Sequence, residues 1–425
     1  MQPRTRPARH FSTMPAVSTP MTRRVLRLLT LTGLVASITA PAHPADDAPN
    51  PWLVARDTYT EAQAAANLAS FAATYTDAAG WEARAADLRG HILAGARLSP
   101  LPPRTPLRPI ERPARRHDGY SVANVAFESL PGFFVTGNLY RPARTTGVSE
   151  SQRHPAILVT HGHGDPAAGV RPAAGYQMLC ATLARAGAVV LMIDMVGYGE
   201  AQQFPHRSDI TLGLQLWNGM RALDYLGSLP DVDASRLGMT GQSGGGTQTI
   251  LLTAVDPRVR VSVPVTMVSA HFYGGCACES GMPVHRGPDF ETNNAEIAAL
   301  AAPRPQLLVS VGGDWTKNTP AVEFPYVQRV YTLLGAPQAV ANTHFADERH
   351  DYGPSKRRAA VAFLVRELGL PALADDAPAP GAGAPGESTV TIESRDALMV
   401  FDAAYPRPEH ALATPEAVRA AFARR

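Results

Sequence analysis

The chain has 425 residues, 45% of them apolar, enough to bury one large core. Its 39 basic and 37 acidic side chains leave a net charge of +2, and the basic residues are scattered rather than striped. Nothing in that balance indicates a nucleic-acid partner or an acidic one.

The N-terminus reads as an export signal. Arg23-Arg24 opens a basic region, residues 25–40 form a short apolar stretch, and Ala40-Pro41-Ala42 and His43-Pro44-Ala45 offer small-residue cleavage sites. Residues 1–45 are therefore assigned to a signal peptide, with Met14 or Met21 as alternative starts, and a periplasmic or secreted protein is expected. Thr22-Arg23-Arg24-Val25-Leu26 also resembles a twin-arginine signal, so the export route stays open. No other stretch has the length and apolar content of a membrane span.

Residues 46–115 are expected to form a helical extension. Ala-rich, helix-period patterns over 57–97 carry Trp81, Leu88 and Ile92 as anchors, and a Pro-rich connector follows over 100–113. The segments 120–127 and 133–140 alternate like antiparallel strands around Pro131-Gly132. Apolar runs at 156–160, 188–193, 236–240, 259–268, 306–311 and 340–345 then alternate with helical patterns such as 176–186, 212–226 and 247–254. This alternation predicts an α/β domain over 116–370, a mostly parallel sheet covered by helices on both faces. Residues 371–387, rich in Ala, Pro, Gly and Asp, read as a flexible linker. The tail over 388–425 has one strand-like run, Val390-Thr391-Ile392, and a terminal helix.

Between the run at 236–240 and the helix after it lies Gly241-Gln242-Ser243-Gly244-Gly245. A G-x-S-x-G between a strand and a helix is the sequence of a nucleophile elbow, a sharp turn that exposes the serine hydroxyl. A side chain at either outer glycine would collide with the neighbouring elements. Serine at neutral pH is a weak nucleophile and needs a base, an acid to orient that base, and donors for the oxyanion. In chain order the acid should follow the strand at 306–311, which selects Asp314. The histidine should follow the strand at 340–345, which selects His350. Glu279, in the loop one strand earlier, is the alternative acid or a pocket residue. His344 falls within its strand, where packing is the expected role. The oxyanion donors are expected to be the N–H groups of Gly244 and of His163, in His161-Gly162-His163-Gly164 directly after the strand at 156–160. Trp315 and Tyr273 are candidates for the pocket wall.

Cys180 fits a buried position on an amphipathic helix. Cys276 and Cys278 stand two apart, and a local disulfide between them is conceivable. No further cysteine or histidine ligands stand at metal-site spacing around them, and His161 and His163 as a metal pair lack a third ligand. No metal or cofactor is therefore expected.

Together these residues resemble the α/β-hydrolase superfamily, and more narrowly the bacterial exported hydrolases grouped with acetylxylan esterases. The segments that carry the resemblance are His161-Gly162-His163-Gly164, Asp194-Met195-Val196-Gly197-Tyr198-Gly199-Glu200, Gly241-Gln242-Ser243-Gly244-Gly245-Gly246, Gly274-Gly275-Cys276-Ala277-Cys278-Glu279, Gly313-Asp314-Trp315-Thr316 and His350-Asp351-Tyr352. The resemblance implies a metal-independent serine carboxylesterase, with deacetylation of a plant-type polysaccharide such as xylan as the implied reaction. Glucuronoyl esterases are similar but carry a basic residue after the nucleophile, where this chain has Gly244. Two other readings remain. A prolyl-oligopeptidase-like peptidase would need a β-propeller that the short N-terminal segment cannot build. A carbohydrate-binding protein without activity would have no use for the intact set of serine, acid and histidine.

Overall fold

The computed structural model describes residues 50–54, 59–143, 153–373 and 382–424. The expected signal peptide lies outside the described residues, as do residues 374–381 of the expected linker. Asn50–Arg425 form one compact unit.

Ten strands build one sheet: β1 (Ile110–Glu111), β2 (Arg115–His117), β3 (Tyr120–Leu130), β4 (Phe133–Pro142), β5 (His154–Thr160), β6 (Val189–Ile193), β7 (Val232–Gln242), β8 (Val259–Val265), β9 (Gln306–Val311) and β10 (Val340–Phe345). Their order across the sheet is β1-β3-β4-β6-β5-β7-β8-β9-β10, with β2 paired to β3. The first four strands and the β4–β6 junction are antiparallel, and β5 to β10 are parallel to one another. This is the mostly parallel sheet expected from the alternation in the sequence, in the α/β-hydrolase arrangement that the resemblance implies.

The helices are α1 (Glu61–Ala73), α2 (Ala78–Gly95), α3 (Ala174–Arg185), α4 (Thr211–Ser228), α5 (Gly244–Val255), α6 (Ala277–Ser280), α7 (Asn294–Ala299), α8 (Glu323–Leu333), α9 (Pro354–Glu367) and α10 (Pro415–Ala423). One apolar cluster unites α1 and α2 (Leu68, Trp81, Leu88, Ile92) with α4, α5 and the sheet (Trp217, Leu252, Met239). A second, on the opposite face of the sheet, joins α3 and α9 (Leu179, Cys180, Leu364) to Ile157, Val190 and Val263. The inner parallel strands β5, β6 and β9 are buried on both faces, which is why they read as continuous apolar runs rather than as alternation.

The tail departs from expectation at one point. Val390-Thr391-Ile392 forms no strand; it follows a short 3-10 turn at Glu387–Thr389 and runs as irregular chain. Its backbone meets side chains instead of a sheet edge, with Tyr120 donating to the Thr391 carbonyl and Glu393 N–H donating to Gln177. No described helix is long and apolar enough to cross a membrane.

Candidate active site

The turn from β7 into α5 holds Ser243 at φ 57°, ψ −123°. A non-glycine residue with positive φ is strained by roughly 1–3 kcal/mol and persists only where its surroundings enforce it. Those surroundings are backbone. A Cβ on Gly241 would stand 2.4 Å from the Gly245 carbonyl oxygen, and one on Gly245 would stand 2.4 Å from that of Thr160. The glycines thus let β5, β7 and α5 approach closely enough to lift the serine out at the strand end. Ser243 N–H donates to the Val265 carbonyl and its own carbonyl accepts from Thr247, which anchors the turn from both sides.

Asp314 leaves the end of β9 and His350 the loop after β10. His350 Nδ1 lies 2.7 Å from Asp314 Oδ2, and the carboxylate is nearly fully buried. The other oxygen, Oδ1, accepts from both the N–H and the hydroxyl of Thr316, each at 2.6 Å. With its proton on Nδ1, His350 presents a bare Nε2, which accepts from the Gln242 side-chain amide at 3.0 Å. The structure therefore joins His350 to Asp314, and brings Nε2 to the residue beside Ser243 rather than to the serine hydroxyl itself. The Trp315 ring lies over His350 with centroids 4.3 Å apart and stacks on Phe272 at 3.9 Å.

The loop after β5 lies against the elbow. A Cβ on Gly162 would come within 3.0 Å of Ser243 Cβ, and one on Gly244 within 3.1 Å of the His163 ring. Gly244 opens α5, so its N–H has no acceptor within the helix. His161 is fully buried and holds this loop: Nδ1 donates to the Gly162 carbonyl at 2.8 Å, and Nε2 accepts from Met195 N–H at 3.0 Å. Burial holds its imidazole down at about 4, so it stays neutral in this role.

A pocket of about 650 Å³ opens over the serine. His163, Tyr198, Arg207, Phe272, Glu279 and Trp315 are among the residues that line it with Ser243. Tyr273, expected in its wall, lies outside it. Its ring is buried against His285 at 4.8 Å, and it is the adjacent Phe272 that lines the pocket. Glu279 does reach the pocket, but its Oε2 accepts from the N–H groups of Gly275 and Cys276 at 2.7 and 3.2 Å. Burial pushes its carboxyl up.

The expectation that no metal-ligand cluster exists is overturned by the fold. His163, His206, Cys276 and Cys278 bring one ligand atom each to within 4.8 Å of one another. Both cysteines are free thiols. A hydrogen bond from Cys278, with others from His163 and His206, holds the Cys276 thiol well below the usual range, while burial pushes Cys278 up. His206 lies 43 residues after His163 and about 70 before the cysteines, on its own loop. Spacing therefore carried no signal beyond Cys-x-Cys. The roles of Gln242, Phe272 and Arg207 were likewise illegible in the sequence, since only the folded loops bring Phe272 and Arg207 to the pocket with Ser243 and the Gln242 amide to His350.

No protein-family model matches the chain. The Bacillus subtilis protein named "Putative hydrolase YtaP" is 27% identical over 270 residues, 57% of this chain and 84% of that protein. Among solved structures, the methylesterase BT1017 superposes with a TM-score of 0.76 at 39% identity, covering 86% of this chain and 79% of that one. A glucuronoyl esterase from Solibacter usitatus shares the fold at a TM-score of 0.51 and 19% identity, over 69% of this chain and 94% of that one.

Proposed function

We propose, for a chain that belongs to the α/β-hydrolase-fold esterases alongside the methylesterase BT1017, that Ser243, His350 and Asp314 form the catalytic triad of a serine carboxylesterase. The observation that carries this reading is the His350–Asp314 pair at 2.7 Å, with the bare Nε2 turned to the strained elbow. Ser243 Oγ attacks the ester carbonyl as His350 Nε2 takes its proton. The alcohol leaves with that proton, and water hydrolyses the acyl-enzyme by the same route. Asp314 orients the imidazole and stabilises its charged form. The N–H groups of Gly244 and His163 receive the oxyanion. For the serine proton to reach Nε2, the Gln242 amide must yield that position as substrate enters.

The substrate is read as an ester borne by a carbohydrate. Two chemistries compete. Deacetylation of a polysaccharide such as xylan is what the sequence resemblance implies. Cleavage of a methyl ester is favoured by the likeness at 39% identity to a protein that bears the name methylesterase. On a carbohydrate, a methyl ester means a methylated uronic acid. The Arg207 cation at the pocket supports such a substrate, since neighbouring free carboxylates would be drawn to it. The signal-like N-terminus supports export to where such polymers are met.

The test is a panel of esters: p-nitrophenyl acetate and longer acyl chains, acetylated xylan, a glucuronoyl methyl ester and a proline amide. Release of methanol from the uronic methyl ester at a higher kcat/KM than acetate release is the expected result. Ser243→Ala should lose about 10³-fold or more in kcat while staying folded. Undiminished turnover by a folded Ser243→Ala protein would remove the nucleophile from the proposal.

A further inference from the structure

We infer that His163, His206, Cys276 and Cys278 form a zinc site that ties together the loops on one side of the ester pocket. Four features converge on this. First, the donor set is two imidazoles and two thiols, the chemistry of structural zinc and a poor match for magnesium or calcium, which take oxygen. Second, the spacing suits one ion. Zinc bonds of about 2.0–2.1 Å to nitrogen and 2.3 Å to sulfur, tetrahedrally arranged, put the ligand atoms roughly 3.3–3.8 Å apart. Here His163 Nε2 lies 3.1 Å from His206 Nε2 and 3.2 Å from Cys278 Sγ, and no pair in the cluster exceeds 4.8 Å.

Third, the tautomer is set from outside. His206 Nδ1 donates to the Val196 carbonyl at 2.8 Å, so its Nε2 presents a lone pair to the cluster, the arrangement that orients ligating histidines. Fourth, the cysteine turn is braced. Glu279 accepts from Gly275 and Cys276 N–H, and Gln215 donates to the Cys278 carbonyl at 3.2 Å.

Because the protein supplies four ligands, the ion would have no open position and would act by holding geometry. His163 would be fixed by its own ring, and with it the N–H proposed to receive the oxyanion. His206 would hold the segment that brings Arg207 to the pocket, and the cysteines would hold the segment that brings Glu279. The consequence for turnover rests on the esterase reading above; the binding of zinc does not.

The experiment measures metal and thiols in the mature protein purified without chelators. About one zinc per chain by mass spectrometry is expected. Cys276 and Cys278 should resist thiol reagents until a strong chelator is added. Replacement by cobalt should yield the thiolate charge-transfer absorption and intense visible bands of a tetrahedral site. Cys278→Ser and His206→Ala should each retain less than about a tenth of the metal, whereas Ser243→Ala should keep it all and lose only activity. Should the ligand variants fail to fold, the cobalt spectrum of the unaltered chain decides alone. A Cys276–Cys278 disulfide in the isolated protein would overturn the inference. So would a zinc content below about a tenth per chain after incubation with excess metal. Full zinc with no activity on any ester would leave the site standing and sink the esterase reading instead.

Discussion

Asp314 and Glu279 compete for one role in the sequence, and their hydrogen bonds separate them. Asp314 spends one oxygen on His350 and the other on Thr316, so it is aimed at the imidazole and locked there. Glu279 spends Oε2 on two backbone N–H groups of its own turn. Asp314→Asn should therefore lose roughly 10²–10⁴-fold in kcat with KM little changed, because the imidazole would lose its orientation and its counter-charge. Glu279→Gln should lose less than about 10-fold in kcat and act mainly through KM, since its turn forms part of the pocket wall. Steady-state kinetics of both variants on one small ester is the check, and a deeper kcat loss in Glu279→Gln would transfer the role of the acid.

At the scale of elements, the parallel strands and the loops that follow them behaved differently as sequence. The strands β9 and β10 appear at 306–311 and 340–345, as expected; β9 is buried along its whole length, while β10, at the sheet edge, is mostly half-buried and mixes polar with apolar residues. The stretch between β8 and α7 has only the four-residue α6 and is held by buried polar contacts that no periodicity announces. Within it, His285 Nε2 donates to Asn294 Oδ1 at 2.8 Å, Asn294 donates to the Phe272 carbonyl, and His285 Nδ1 is buried without a partner. Burial holds this histidine down at about 4, against an ordinary 6.5. The unfolded chain then binds the additional proton first as pH falls, so stability is lost between pH 6.5 and 4, by roughly 3 kcal/mol at full effect. Thermal unfolding followed across that range should fall less steeply for His285→Gln, which keeps a donor for Asn294 but cannot titrate. Equal slopes for the two proteins would show that the acid sensitivity lies elsewhere.

At the scale of the whole molecule, the tail and the end of the expected linker are part of the packing. Leu398, Val400, Val418 and Phe422 are buried. The buried guanidinium of Arg171 donates to the Leu398 carbonyl as well as to Asp194, Glu200 and Asn138. Asn124 and Asn138 on β3 and β4 reach the carbonyls of residues 397–399. Arg357 on α9 is paired with Glu387 through two hydrogen bonds, both side chains nearly fully buried. Ending the chain after Leu370 strands Arg357, and removal of one partner of a buried pair costs about 3–5 kcal/mol before the lost apolar burial is counted. The truncated protein should unfold at a markedly lower urea concentration than the full chain or accumulate as aggregate. Unchanged unfolding midpoints would mean that the tail is an accessory to the fold.

The sequence by itself determined what local chemistry and period can encode. The strained turn at Ser243 needs glycine on either side, and the buried parallel strands need continuous apolar runs. Asp314 and His350 follow from their positions after β9 and β10, because this topology places the ends of successive parallel strands along one edge. Only the tertiary structure decided contacts between loops far apart in the chain. It set Phe272 rather than Tyr273 in the pocket, put the Gln242 amide on His350, buried the tail against the sheet and gathered two histidines and two cysteines from three loops. Such loops carry no period, and their side-chain directions are set by the neighbours they pack against, so the encounter exists only once the sheet has brought the strand ends together.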